Sequence, residues 1–126
     1  MTDVLRIVYA EDDELVRSTI TEMLTGLGAE VRVCENGAEA VLLCLSTRPD
    51  VALLDLTMPG MDGFDGAIRI RQNNDRIHLV ALTGHTHASS MAHASAAGFD
   101  EVLTKPITLD MLESAVARWS APSAKA

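Results

Sequence analysis

Aromatic residues are scarce in this 126-residue chain: one Trp, one Tyr and two Phe make up 3% of it, although 48% of the chain is hydrophobic. A core must then be filled by Val, Leu, Ile, Ala and Met, as in a parallel sheet covered by helices. Basic side chains are also few, ten against eighteen acidic ones, for a formal net charge of −8. A surface of that sign repels a nucleic-acid backbone, so no direct nucleic-acid partner is expected. No apolar run approaches the roughly 20 residues that span a bilayer. The chain opens Met1-Thr2-Asp3 without a basic region and apolar stretch, so a cytoplasmic protein with no membrane partner is expected. The two cysteines, Cys34 and Cys44, lie in apolar surroundings without a CxxC pair or a metal-like histidine spacing. That predicts buried thiols in a reducing compartment.

The length fits one domain with a single site. The run RIVYA at 6–10 ends abruptly in Glu11-Asp12-Asp13, as a buried strand does on reaching solvent. Leu15, Val16, Ile20, Met23, Leu24 and Leu27 recur at helical spacing over 14–27, where Gly26 and Gly28 supply the stop. A second strand at 30–34 (EVRVC) and an Asn36-Gly37 turn precede an Ala- and Leu-rich helix over 37–46. The continuous apolar run at 51–54 (VALL) reads as a central strand, and it ends in Asp55.

A loop with Pro59-Gly60 and Asp62-Gly63 leads to a helix over 64–72, and HLVALT at 78–83 gives a fourth strand. An Ala-rich helix over 89–97 has little apolar stripe and should pack loosely. EVLT at 101–104 and an amphipathic helix over 109–119 complete a domain over 1–120, and 121–126 is expected to be a disordered tail or the start of a linker. Five strands alternating with five helices predict an α/β fold, a doubly wound parallel sheet with helices on both faces. Ligands of such sheets sit beyond the carboxyl ends of the strands.

Those ends hold Glu11 and Asp12, Asp55, Thr83, and Lys105 followed by Pro106. Three crowded carboxylates repel one another and raise at least one pKa unless a cation neutralises them. Oxygen-only ligands suit a hard ion such as Mg²⁺, which is the expected cofactor. With a hydroxyl and an ammonium opposite, Asp55 is predicted to attack a phosphoryl group, Lys105 and the metal to balance its charge, and Thr83 to donate to a phosphate oxygen.

The runs YAEDD, ALLDLTMPGMDG, ALTGH and VLTKPI resemble, in order and spacing, the four signature blocks of the response-regulator receiver domain of two-component and phosphorelay signalling. The resemblance covers about residues 6–119 and implies a flavodoxin-like (βα)5 fold with strand order 2-1-3-4-5. It also implies that Asp55 is the phosphoacceptor, Glu11 and Asp12 the acidic pair with Asp12 the more direct Mg²⁺ ligand, and the Thr57 main-chain carbonyl a further ligand. Thr83 matches the switch hydroxyl, Lys105 the phosphoryl-pairing lysine, and Pro106 a proline often preceded by a cis peptide, which would aim Lys105 inward. The implied partners are a sensor histidine kinase or a histidine phosphotransfer protein, and a downstream protein or attached domain. The runs ALTGH and AGFDEVLTKPI look most like receivers attached to hybrid kinases.

One position departs from the family pattern: Val102 stands where Tyr or Phe commonly serves as a rotating switch. His85, two residues after Thr83, is expected to modulate water access and acyl-phosphate lifetime. His87 and His93 are six apart and share no helical face, so solvated or partly packed histidines are expected there, not a metal site. Asp13, Asp62, Asp65 and Asp100 read as structural carboxylates at turns and element ends. Met58 and Met61 are expected to cover the edge of the site.

Two rival functions share this fold. A Mg²⁺-dependent phosphatase or phosphotransferase acting through an aspartyl phosphate usually has a second Asp two residues past the nucleophile, where this chain has Thr57. A flavodoxin-like cofactor binder would need a phosphate-cradling Gly- or Ser-rich run after the third strand, and the acidic loop there lacks one. The expected function is a phospho-accepting signalling domain that shifts its α4-β5-α5 surface, not an enzyme.

Overall fold

A computed structural model describes residues 4–56, 58, 63–73, 76–84 and 88–120. The order of elements is β1 (Arg6–Ala10), α1 (Glu14–Gly26), β2 (Glu30–Cys34), α2 (Gly37–Thr47), β3 (Val51–Asp55), α3 (Gly63–Asn73), β4 (His78–Thr83), α4 (Ala88–Ala96), β5 (Glu101–Thr104) and α5 (Leu109–Trp119). The strands are all parallel and lie in the order β2-β1-β3-β4-β5.

Alternation along the strands builds two separate cores. Val8, Ala10, Ala52, Leu54, Leu79 and Ala81 face one layer with Ala40, Cys44, Ala67, Ile70 and Ala94 of α2, α3 and α4. Ile7, Tyr9, Val51, Leu53, Val80 and Leu82 face the other with Ile20, Leu24, Leu112, Ala115 and Trp119 of α1 and α5. All five residues of β3 are buried, because helices cover both faces of this central strand.

Element ends differ from the sequence reading by a residue or so, and capping accounts for the differences at α1 and α2. Leu27 lies outside α1, where its N–H bonds back to the Met23 and Leu24 carbonyls, and the reversal falls on Gly28 at φ +96°. Asn36 does not form a free turn with Gly37. Its Oδ1 accepts the Glu39 N–H at 2.9 Å as the N-cap of α2, while Glu39 reaches back to the Glu35 N–H at 3.0 Å. Helix α2 runs one residue further than expected, to Thr47, and α4 spans Ala88–Ala96 in place of 89–97. Helix α3 starts at Gly63 and ends at Asn73, so the second residue of the Asp62-Gly63 pair belongs to the helix. Met58 is a core residue, 6% exposed, in the same buried cluster as Leu56. Cys34 and Cys44 are both buried thiols, each pushed up to about 12 chiefly by burial. The expectations for Thr57, Met61, Asp62, His85, His87 and the tail at 121–126 lie outside the described residues.

Candidate functional site

Strand register decides which side chains meet. Ala10 pairs with Leu54, which sets Glu11 level with Asp55, and Asp55 pairs with Leu82, which sets Thr83 one step further out. Thr83 pairs with Thr104, which places Lys105 just beyond. The ladder continues past the strand ends, since the Glu11 N–H bonds the Cys34 carbonyl at 3.1 Å and the Lys105 N–H bonds the Thr83 carbonyl at 2.8 Å. Glu11, Asp55 and Lys105 therefore keep the alternation that sends Tyr9, Leu53 and Leu103 toward α1 and α5. Thr83 has the opposite parity, that of Leu79 and Ala81.

Lys105 Nζ lies 2.7 Å from Asp55 Oδ2 and 3.5 Å from Glu11 Oε1. Asp55 and Glu11 are 3% and 2% exposed, whereas Asp12 is exposed at the rim. Carboxylate oxygens of Glu11, Asp12 and Asp55 all fall within 4.8 Å of one another. Burial, followed by the hydrogen bond and charge of Asp55, pushes Glu11 up to about 7. Loss of water around the carboxylate is the larger cause, and crowding by Asp55 adds to it. Burial alone would lower the Lys105 pKa, but the hydrogen bond to Asp55 and the charges of Asp55 and Glu11 outweigh it and the net shift is upward. The three carboxylates form an anionic, all-oxygen donor set that fits a hard divalent cation.

The acidic loop is held from both sides. Asp13 caps α1 by accepting the Val16 N–H at 3.0 Å, and its own N–H donates to Glu11 Oε2 at 3.2 Å. Arg17, one turn into α1, donates to the Glu11 carbonyl at 2.9 Å. The Lys105–Pro106 peptide is cis.

Contacts that the sequence reading missed surround this group. The Tyr9 hydroxyl lies 3.5 Å from Glu11 Oε1, and its position two residues before Glu11 in a strand was the available signal. Gly63 sits so close to Asp55 that a Cβ there would collide with the Asp55 carbonyl oxygen and lie 3.0 Å from Leu56 Cα. Nothing in the sequence marks that contact, because 63 read as part of a turn. Val102 is partly buried against the core. His93 is packed face to face on Phe64, Asp65 lies in the first turn of α3, and Asp100 pairs with Arg71 at 2.8 Å. No helix among the described residues is long and apolar enough to cross a membrane.

The geometry defines a doubly wound α/β domain with an acidic cluster and a lysine at the carboxyl edge of its sheet. The response regulator receiver domain family matches residues 7–117. Response regulator MprA of Mycolicibacterium vanbaalenii is 33% identical over 108 residues, which are 86% of this chain and 47% of that protein. Among solved structures, the receiver domain of sensor histidine kinase PA1611 of Pseudomonas aeruginosa, with a magnesium ion coordinated in its active site cleft, is 28% identical. It superimposes with a TM-score of 0.86 over 94% of this chain and 98% of that one. Vibrio cholerae chemotaxis protein CheY4 shares the fold at a TM-score of 0.87 and 24% identity, over 92% of this chain and 98% of its own.

The chain belongs to the response regulator receiver domain family, a family of two-component signalling domains. It spans about half the length of the curated relatives it matches. The expectation of no nucleic-acid partner rests on this chain's charge alone, and nothing in these relatives supports extending it to a longer protein.

Proposed function

We propose that this domain accepts a phosphoryl group on Asp55 from a phosphohistidine of a sensor kinase or histidine phosphotransfer protein. The observation that carries the reading is the buried Asp55 carboxylate, 2.7 Å from the Lys105 ammonium and within a cluster of two further carboxylates. A carboxylate oxygen of Asp55 attacks phosphorus, a P–O bond forms as the P–N bond breaks, and the departing imidazole nitrogen keeps the electron pair and takes up a proton.

Glu11, Asp12 and Asp55 would hold Mg²⁺, with the Thr57 carbonyl as a fourth protein ligand. Bound there, the ion offsets negative charge on the carboxylates and phosphoryl oxygens. Lys105 keeps a positive charge beside the acyl phosphate, and the Thr83 hydroxyl, at the buried end of β4, donates to a phosphoryl oxygen. Movement of Thr83 toward the phosphate then shifts the surface made by α4, β5 and α5, which changes partner binding.

The domain acts in the cytoplasm as an acceptor with its own slow dephosphorylation, not as an enzyme turning over small phosphate esters. Thr57 stands where those enzymes place their acid. His85, two residues past Thr83, is proposed to set acyl-phosphate lifetime through water access. Radiolabel transfer from a phosphohistidine donor should need Mg²⁺ and disappear in Asp55→Asn, and unchanged labelling of that variant would refute the reading. Steady hydrolysis of a chromogenic phosphate ester would favour the phosphatase alternative.

A further inference from the structure

The backbone of Asp55 touches α3. A Cβ at Gly63 would collide with the Asp55 carbonyl oxygen, so the first turn of α3 rests directly on the end of β3. Close-packed groups cannot move independently, and a displacement at Asp55 is passed to Gly63 and to its neighbour Phe64.

Phe64 carries that contact to α4. Its ring lies on His93 with centroids 4.1 Å apart and planes within 9°, and it meets the edge of Phe99 at 6.4 Å. Further along α3, Arg71 fixes the turn that follows α4. Its Nε and Nη2 donate to the Gly98 carbonyl at 3.3 and 2.8 Å, and Nη2 also pairs with Asp100 at 2.8 Å. Helix α4 is thus pinned beyond its C-terminus while its flank leans on an aromatic ring.

The described part of α4 is anchored lightly by burial. Among residues 92–96 only Ala94 is buried. Val102 on β5 is aliphatic, so no ring is available at that position to change rotamer with the state of the site.

We infer that the Phe64–His93 stack is the positioning contact that couples the state of Asp55 to α4, through α3. The inference rests on the phosphoacceptor reading and adds His93 and Phe64 as the residues that transmit it. Two groups in face-to-face contact bias one another's position, and loss of either ring removes this contact between α3 and α4.

Amide hydrogen exchange of the full chain tests this, with Mg²⁺ and beryllium fluoride as the acyl-phosphate mimic. In the wild type, exchange should change both at the end of β3 and across 92–99. In His93→Ala the β3 change should persist while at least half of the α4 change is lost, and His93→Phe, which rebuilds a stack, should restore it. An α4 response in His93→Ala equal to that of the wild type overturns the inference. So does a loss that His93→Phe does not restore, or a wild type whose α4 is silent while β3 responds. A wild type with no response at β3 instead overturns the phosphoacceptor reading.

Discussion

Lys105 and Asp55, fifty residues apart in sequence, meet at 2.7 Å between Nζ and Oδ2. The ammonium lies against both buried carboxylates, Asp55 and Glu11. Lys105→Met keeps the length of the stem and removes the charge. Phosphotransfer to this variant should slow by roughly 10-fold or more, as expected for loss of a charge-assisted contact worth a few kcal/mol. Rapid-quench labelling with a phosphohistidine donor measures it, and a wild-type rate would remove Lys105 from the site chemistry.

Glu11 makes the metal-free domain sensitive to pH. Its folded pKa, raised from 4.5 to about 7, means that the folded chain holds the proton more tightly than the unfolded one. Its stabilising contribution is therefore full below the unfolded pKa and is lost as pH rises through about 7. In chelator, wild type should lose on the order of 2 kcal/mol between pH 5 and 8 relative to Glu11→Gln. Parallel urea melts of the two proteins would show this, and identical pH profiles would contradict it.

Two glycines of α3 should respond oppositely to alanine. A Cβ at Gly63 meets the backbone of Asp55 and Leu56, which cannot yield cheaply, so Gly63→Ala should cost about 3 kcal/mol and disturb Mg²⁺ binding. A Cβ at Gly66 finds Gly37 at 3.7 Å and Leu54 Cδ1 at 3.8 Å, ordinary contact distances. Gly66→Ala should be neutral or stabilising by up to about 1 kcal/mol, because alanine loses less backbone entropy in a helix. Thermal melts of both variants decide the pair.

At the opposite end of the sheet, Glu101 ties β5 to β4 and α5. Its carboxylate receives Trp119 Nε1 at 3.0 Å and Arg118 Nη2 at 2.9 Å, and lies 2.9 Å from His78 Nε2. Burial works against its ionised form, but Arg118, His78 and Trp119 outweigh it and hold the pKa below the usual carboxylate range. That contribution is present above the unfolded pKa and fades as pH falls through the folded one. Glu101→Gln should cost about 2 kcal/mol at neutral pH and shift the emission of Trp119, the single tryptophan. Phosphorylation of Asp55 should be unaffected, since the residue lies at the far end of β5.

Most of this domain was legible before folding. Every strand followed from a β-branched or continuous apolar run, and the first and last helices from apolar spacing, because those patterns reflect which faces are buried. Residues at strand ends were identifiable because a parallel sheet brings all its carboxyl ends to one edge, which placed Glu11, Asp12, Asp55, Thr83 and Lys105 together in outline. Helix ends were less exact, since a cap such as Asn36 depends on a hydrogen bond to Glu39 that a turn-forming pair does not reveal.

Tertiary structure alone decided the rest. Register set Glu11 beside Asp55 and Lys105 within 2.7 Å of it, and no local pattern encodes register between strands so far apart in sequence. Close approach and ring stacking are also non-local. Gly63 read as part of a turn and His93 as a solvated or partly packed histidine with no named neighbour, until folding set the first on the backbone of Asp55 and the second on Phe64. Sequence determined which groups stand at the site, through burial and alternation, and packing determined which of them touch.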